Sequence, residues 1–103
     1  MSETEAVIVD IADGVATVTL NEPSVRNALT PRLRPAFIDA MHRLEFDDGV
    51  RCVVLKGAGD HFMSGGDIRS MVERQDMEPR KRRQHVVEGV TGIHMAILAM
   101  RRM

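Results

Sequence analysis

The chain has 103 residues, enough for one domain and too few for two. With 14 basic and 15 acidic residues it carries a net charge of −1, so no global field draws it to nucleic acid or anionic lipid. An apolar fraction of 44% is that of an ordinary soluble domain, and no apolar run approaches the ~18 residues a membrane span needs.

The start, Met1-Ser2-Glu3-Thr4-Glu5, is acidic and polar, unlike the basic and then apolar start of a secretory signal. The single cysteine, Cys52, cannot form an internal disulfide, which fits a reducing, cytoplasmic setting. It lies in an apolar run and reads as an inert buried thiol. With 3 Phe and no Trp or Tyr, the core falls to Met, Ala and Val, and a core of this size is marginal.

In chain order, Ala6 to Ile11 is apolar and β-branched. Asp13-Gly14 follows, then the alternating run Val15 to Leu20. This pattern predicts a β-hairpin, with Asp-Gly supplying the positive φ of its turn. Asn21 to Leu29 reads as a loop. Thr30 as N-cap and Pro31 at the first position then predict a helix, whose apolar stripe is Leu33, Phe37, Ala40, Met41 and Leu44. Pro35 removes a backbone donor one turn in, and Asp47-Asp48-Gly49 closes the helix.

Val50 to Lys56 is nearly continuously apolar, which predicts a strand buried on both faces. After Gly57-Ala58-Gly59-Asp60, a short helix is expected over 67–74, with Ile68, Met71 and Val72 on one side. Met77-Glu78-Pro79 breaks it. A long helix is expected from Pro79 to Arg102, with Val86, Val87, Val90, Ile93, His94, Ile97 and Met100 or Arg101 near one face. Gly89 and Gly92 weaken it by about 1 kcal/mol each relative to Ala. A strand covered on both faces needs further strands beside it. The expectation is therefore a truncated chain, or one that completes its core against another subunit.

Two segments carry chemistry. Phe62-Met63-Ser64-Gly65-Gly66-Asp67-Ile68 follows the buried strand and opens a helix. Paired glycines let a ligand approach the backbone, and N–H groups at a helix start are unpaired. Thioester chemistry that forms an enolate puts negative charge on the carbonyl oxygen. A fixed N–H aimed there supplies about 3 to 4 kcal/mol in the transition state. Taken alone, the segment reads rather as a tight strand-to-helix turn without a ligand. Asn21-Glu22-Pro23-Ser24-Val25-Arg26-Asn27-Ala28-Leu29 also joins a strand to a helix, where ligands of α/β sheets bind. Arg26 there either faces a phosphate or is a solvated loop arginine.

Together, in this order and at this separation, the two segments resemble the crotonase superfamily, the enoyl-CoA hydratase/isomerase family. The resemblance runs from about Val7 through Met103. It rests on Asn-x-Pro-x-x-x-Asn-Ala-Leu over Asn21 to Leu29, and on Gly57, Gly59, Phe62, Gly65, Asp67 and Ile68 in the second segment. It implies an α/β fold, a crotonase-type spiral of ββα units, with residues 1–103 as the N-terminal part of a single domain. The Gly66 backbone N–H would be one half of a thioester oxyanion hole. Ser24, Val25, Arg26 and Ala28 would hold one side of coenzyme A. Ser64, Gly65, Gly66, Asp67 and Ile68 would hold the other. The implied partner is an acyl-CoA thioester, with no other cofactor and no metal, and the full-length protein would assemble as a trimer or hexamer.

The departures bound what these residues do. In the family, a second Gly-rich segment and the acid–base residues come after the long helix, and nothing here matches them. Glu73, Glu78 and Glu88 match no catalytic glutamate; Glu73 could project toward the pocket but reads rather as a surface residue. The function expected is that of an enoyl-CoA hydratase or isomerase whose 103 residues are a truncated, inactive fragment. The alternative is a non-catalytic CoA-binding or subunit-interaction module. Arg80-Lys81-Arg82-Arg83 reads as a solvated helix face rather than a nucleic-acid site. His42, His61, His85 and His94 lack metal-ligand spacing.

Overall fold

The computed structural model describes residues 5–103. Strands β1 (Val7–Ala12) and β2 (Val15–Leu20) form an antiparallel hairpin. Its two-residue turn holds Asp13 at φ 53° and Gly14 at φ 79°, the left-handed pair that matches the twist of the flanking strands. Beyond β2, Asn21 N–H donates to Ala6 O at 2.7 Å and extends the pairing by one step.

Helix α1 (Leu33–Glu45) follows. Thr30 Oγ1 accepts from Leu33 N–H at 3.0 Å, and Thr30 O accepts from Arg34 N–H at 2.9 Å, so Thr30 caps the helix as the sequence predicts. All five stripe residues, Leu33, Phe37, Ala40, Met41 and Leu44, are buried against Val7, Ala16, Val18 and Leu20. At the far end Asp47 Oδ1 accepts from Gly49 N–H at 2.9 Å and turns the chain into β3 (Cys52–Gly57).

Strand β3 pairs in parallel with β2, giving the order β1-β2-β3. It is not buried on both faces. The register sets Val15 against Cys52 and Thr17 against Val54. Side chains alternate along a strand, so these residues share the sheet face opposite α1. That face is open: Cys52 is an exposed thiol, and Val54 is 45% exposed. The apolar run signalled a buried strand correctly only for the face bearing Val53 and Leu55.

Helix α2 (Ile68–Arg74) is short, and Ile68, Met71 and Val72 remain exposed on it. Helix α3 (Pro79–Arg102) begins where Glu78 accepts from Arg80 N–H at 2.9 Å and Lys81 N–H at 3.3 Å. It packs on α1 by one edge of the predicted face, Ile93 and Met100, together with the small residues beside it. Ala96 and Ala99 are fully buried, with Ile93 and Met100 beside them, whereas Val86, Val87, Val90 and Ile97 stay exposed. Closeness decides this. A Cβ at Gly92 would stand 3.2 Å from Ile38 Cδ1, and one at Gly89 would collide with Arg34 Nη1. Glycine and alanine let the helices approach where valine would hold them apart. Arg102 closes the pair by hydrogen bonding to the Glu45 carboxylate, which holds that carboxyl below its ordinary range.

Candidate active site: two loops at one end of the sheet

Because β2 and β3 are parallel and pair Leu20 with Gly57, both loops leave the sheet at the same end, the carboxyl ends of the strands. Ala58 N–H donates to Leu20 O at 2.8 Å, which starts them side by side. The first loop coils through a 3-10 turn, Pro23–Val25, and then holds Arg26 and Asn27 both at φ 56°.

That geometry turns the Asn27 side chain inward, where it is fully buried. Its Nδ2 donates to Ala58 O at 3.1 Å, His61 O at 2.8 Å and Phe62 O at 3.2 Å. Its Oδ1 accepts from Glu22 N–H at 2.8 Å. One amide thus fastens the first loop to the second. A further tie runs from Leu29 N–H to Gly65 O at 2.8 Å, with a parallel bridge between Leu29 and Gly66. The Glu22 carboxylate accepts from Thr30 Oγ1 and from Arg32 Nη1, anchoring the loop to the start of α1.

The fastened loops wall a cleft of about 690 Å³. Ser24, Val25, Arg26 and Ala28 line it from one side, and Ser64, Gly66, Asp67 and Ile68 from the other. Of the residues named from the sequence, Gly65 alone does not line it. Gly65 sits at φ 99° and spends its carbonyl on Leu29. Arg26 makes no ion pair among the described residues, so its charge is available to an anion. Asp67 accepts from Ser70 Oγ at 2.7 Å across the start of α2. Glu73, read from the sequence as a surface residue, is exposed and also lines the cleft.

A second chamber of about 330 Å³ lies between α1, α2 and α3. Leu29, Met71, Val86, Val90, Ile93 and Ile97 give it apolar walls. Val86 and Val90 of α3 therefore face a cavity rather than a core. Gly66 lines both spaces. Its N–H donates no hydrogen bond among the described residues, so an unpaired donor stands where a polar cleft meets an apolar chamber. The basic run Arg80 to Arg83 lines neither space. Among the described residues no three His, Cys, Asp or Glu gather as a metal would require, and no helix is long and apolar enough to cross a membrane.

The family profile of enoyl-CoA hydratase/isomerase matches residues 10–102. This chain belongs to that family. Its similarity to the hydroxycinnamoyl-CoA hydratase-lyase of Pseudomonas fluorescens is 39% identity over 75 residues, 73% of this chain and 27% of that protein. Among solved structures, an enoyl-CoA hydratase/isomerase from Mycobacterium abscessus superposes with a TM-score of 0.82 at 29% identity, covering 92% of this chain and 37% of the other. An enoyl-CoA hydratase from Mycobacterium smegmatis gives a TM-score of 0.62 at 39% identity, covering 64% of this chain and 30% of that one. The chain thus spans about a quarter to a third of the length of these relatives. The sheet and helices are accordingly a portion of the crotonase α/β fold.

Sequence reasoning named the loops but not the group that joins them. Asn27 belongs to the motif of the first loop, yet its role depends on the positive φ and the facing carbonyls, neither visible in a loop of unknown path. Arg34, Arg74, His85 and His94, which also line the chamber, were not marked as site residues at all. Helical spacing puts His85, Gly89 and Ile93 on one stripe, and that was the available signal.

Proposed function

We propose that these residues form the CoA-binding half of an acyl-CoA hydratase or isomerase site. In this reading the Gly66 N–H donates to the thioester carbonyl oxygen. The observation that carries it is the position of Gly66, shared between the polar cleft and the apolar chamber with its N–H unpaired. The phosphates and pantetheine of CoA would occupy the cleft beside Arg26, Ser24 and Ser64. The acyl chain would enter the chamber beside Met71 and Val90. The thioester carbonyl, between the two, would then lie at Gly66.

As an enolate forms, charge moves onto that oxygen, and one preorganised N–H lowers the barrier by about 3 to 4 kcal/mol. The acid and base that move protons, and the second donor to the oxygen, are assigned to residues outside these 103. Asp67 is committed to Ser70, and Glu73 is a lone exposed glutamate. The 103 residues alone are therefore expected to bind CoA weakly and to turn over no 2-enoyl-CoA. The whole protein is expected to assemble as a trimer or hexamer.

Amide NMR tests the reading. CoA alone should shift the amides of Ser24 to Ala28 and Ser64 to Ile68. Butanoyl-CoA should in addition move the Gly66 proton downfield, as a new hydrogen bond requires. Replacing Arg26 by Gln should weaken CoA about tenfold, the worth of one charge-assisted contact. A Gly66 amide that responds equally to CoA and to butanoyl-CoA would refute its assignment as the carbonyl donor.

A further inference from the structure

The apolar chamber has an unexpected charge. Arg34 from α1 and Arg74 from α2 line it, with His85 and His94 from α3, and no Asp or Glu does. Neither arginine has an acidic partner among the described residues, where the ion pairs are Arg32–Glu22, Arg43–Asp39 and Arg102–Glu45. Arg34 is the more telling. Its guanidinium lies against the Gly89 backbone in the seam between α1 and α3, and its Nε–H is buried without an acceptor. A buried guanidinium N–H without an acceptor is costly, and an arriving anion that accepts from it offsets that cost.

An aliphatic tail would gain from Val86, Val90, Ile93 and Ile97 but would leave both guanidinium groups unpaired. A chain ending in a carboxylate would satisfy both features. Its methylenes would lie along the valines and its carboxylate would meet the forked donors of arginine. We infer that the acyl group this site selects carries a terminal carboxylate, held by Arg34 and Arg74. The inference rests on the CoA-thioester reading given above and names the substrate class of that site.

Glutaryl-CoA and pentanoyl-CoA have equal acyl carbon counts and differ in a terminal carboxylate against a methyl. Titration calorimetry with CoA, pentanoyl-CoA and glutaryl-CoA therefore isolates the charge. Glutaryl-CoA should bind about tenfold more tightly than pentanoyl-CoA, and the margin should shrink as salt is raised. The double variant R34Q/R74Q should abolish the margin while leaving CoA affinity unchanged, and R34K/R74K should keep part of it. If circular dichroism shows R34Q/R74Q unfolded, R74Q alone decides. It alters the last residue of α2, outside the core, and should cut the margin about threefold. Equal binding of the two thioesters, or a margin that survives these variants, overturns the inference and leaves the CoA reading intact. Failure of all three ligands to bind sinks the CoA reading and the inference together.

Discussion

Replacing Asn27 by Ala should unfasten the two loops. The substitution removes the donor shared by Ala58 O, His61 O and Phe62 O, and the acceptor 2.8 Å from Glu22 N–H. Each hydrogen bond is worth about 1 kcal/mol net, and a donor left buried and unpaired costs about 1 to 3 kcal/mol more. Asn27 also sits at φ 56°, which costs Ala about 1 kcal/mol. Added together these terms come to about 6 to 8 kcal/mol, an upper bound because bonds that share one amide are not additive, and a large part of the 5 to 15 kcal/mol that holds a typical domain. Urea unfolding followed by circular dichroism measures it. Two further variants separate the causes. Asn27→Gly keeps the backbone relaxed and should recover about 1 kcal/mol of the loss. Asn27→Asp keeps the acceptor but turns a carboxylate oxygen toward three carbonyls, and at neutral pH it should be no better than Ala. An Asn27→Ala loss below about 1 kcal/mol, or an Asp variant as stable as the native chain, would refute the clamp.

Three other outcomes are expected. Thr30→Ala should cost about 1 kcal/mol in urea unfolding, because Leu33 N–H loses its capping acceptor and Glu22 loses a donor. Ala96→Leu should cost about 1 to 3 kcal/mol, since residue 96 has no exposed surface and belongs to the core cluster. Acid should loosen the α1–α3 contact. The hydrogen bond from Arg102 lowers the Glu45 pKa, so its contribution is present above the ordinary glutamate range and is lost as pH falls through the depressed value. Thermal melts of Glu45→Gln across the acid range should accordingly lack the part of the native chain's decline that Glu45 causes.

The sequence was most legible where local chemistry decides. The hairpin followed from Asp13-Gly14 between alternating strands, and α3 spans the Pro79–Arg102 predicted for it because Glu78 and Pro79 mark its start. It was least legible where a partner surface decides. The period of α3 showed a broad apolar face but not which edge of it another helix would touch. The continuous run of β3 could not reveal that its Cys52 and Val54 face stays open. The candidate site shows the same division. Ser24, Arg26, Ser64 and Gly66 were marked from their loops, while the chamber residues Arg34, Arg74 and His85 come from three separate helices and meet only in the fold.

Helix α3 shows why the two kinds of legibility diverge. Its small residues, Gly89, Gly92, Ala96 and Ala99, meet α1, and its large ones, Val86, Val90 and Ile97, border the chamber. Had the large residues packed on α1, the chamber would be filled and Gly66 would line only the polar cleft. Two glycines that weaken the helix by about 1 kcal/mol each thus help to keep its valines free for a ligand. What looked in the sequence like a flaw in a core helix is the arrangement that leaves one of its faces unfilled. Filling the chamber from within tests this. Val90→Phe, on the exposed stripe, should leave urea stability within about 0.5 kcal/mol of the native chain. It should also weaken pentanoyl-CoA relative to CoA. An unchanged ratio would mean that the acyl chain lies elsewhere.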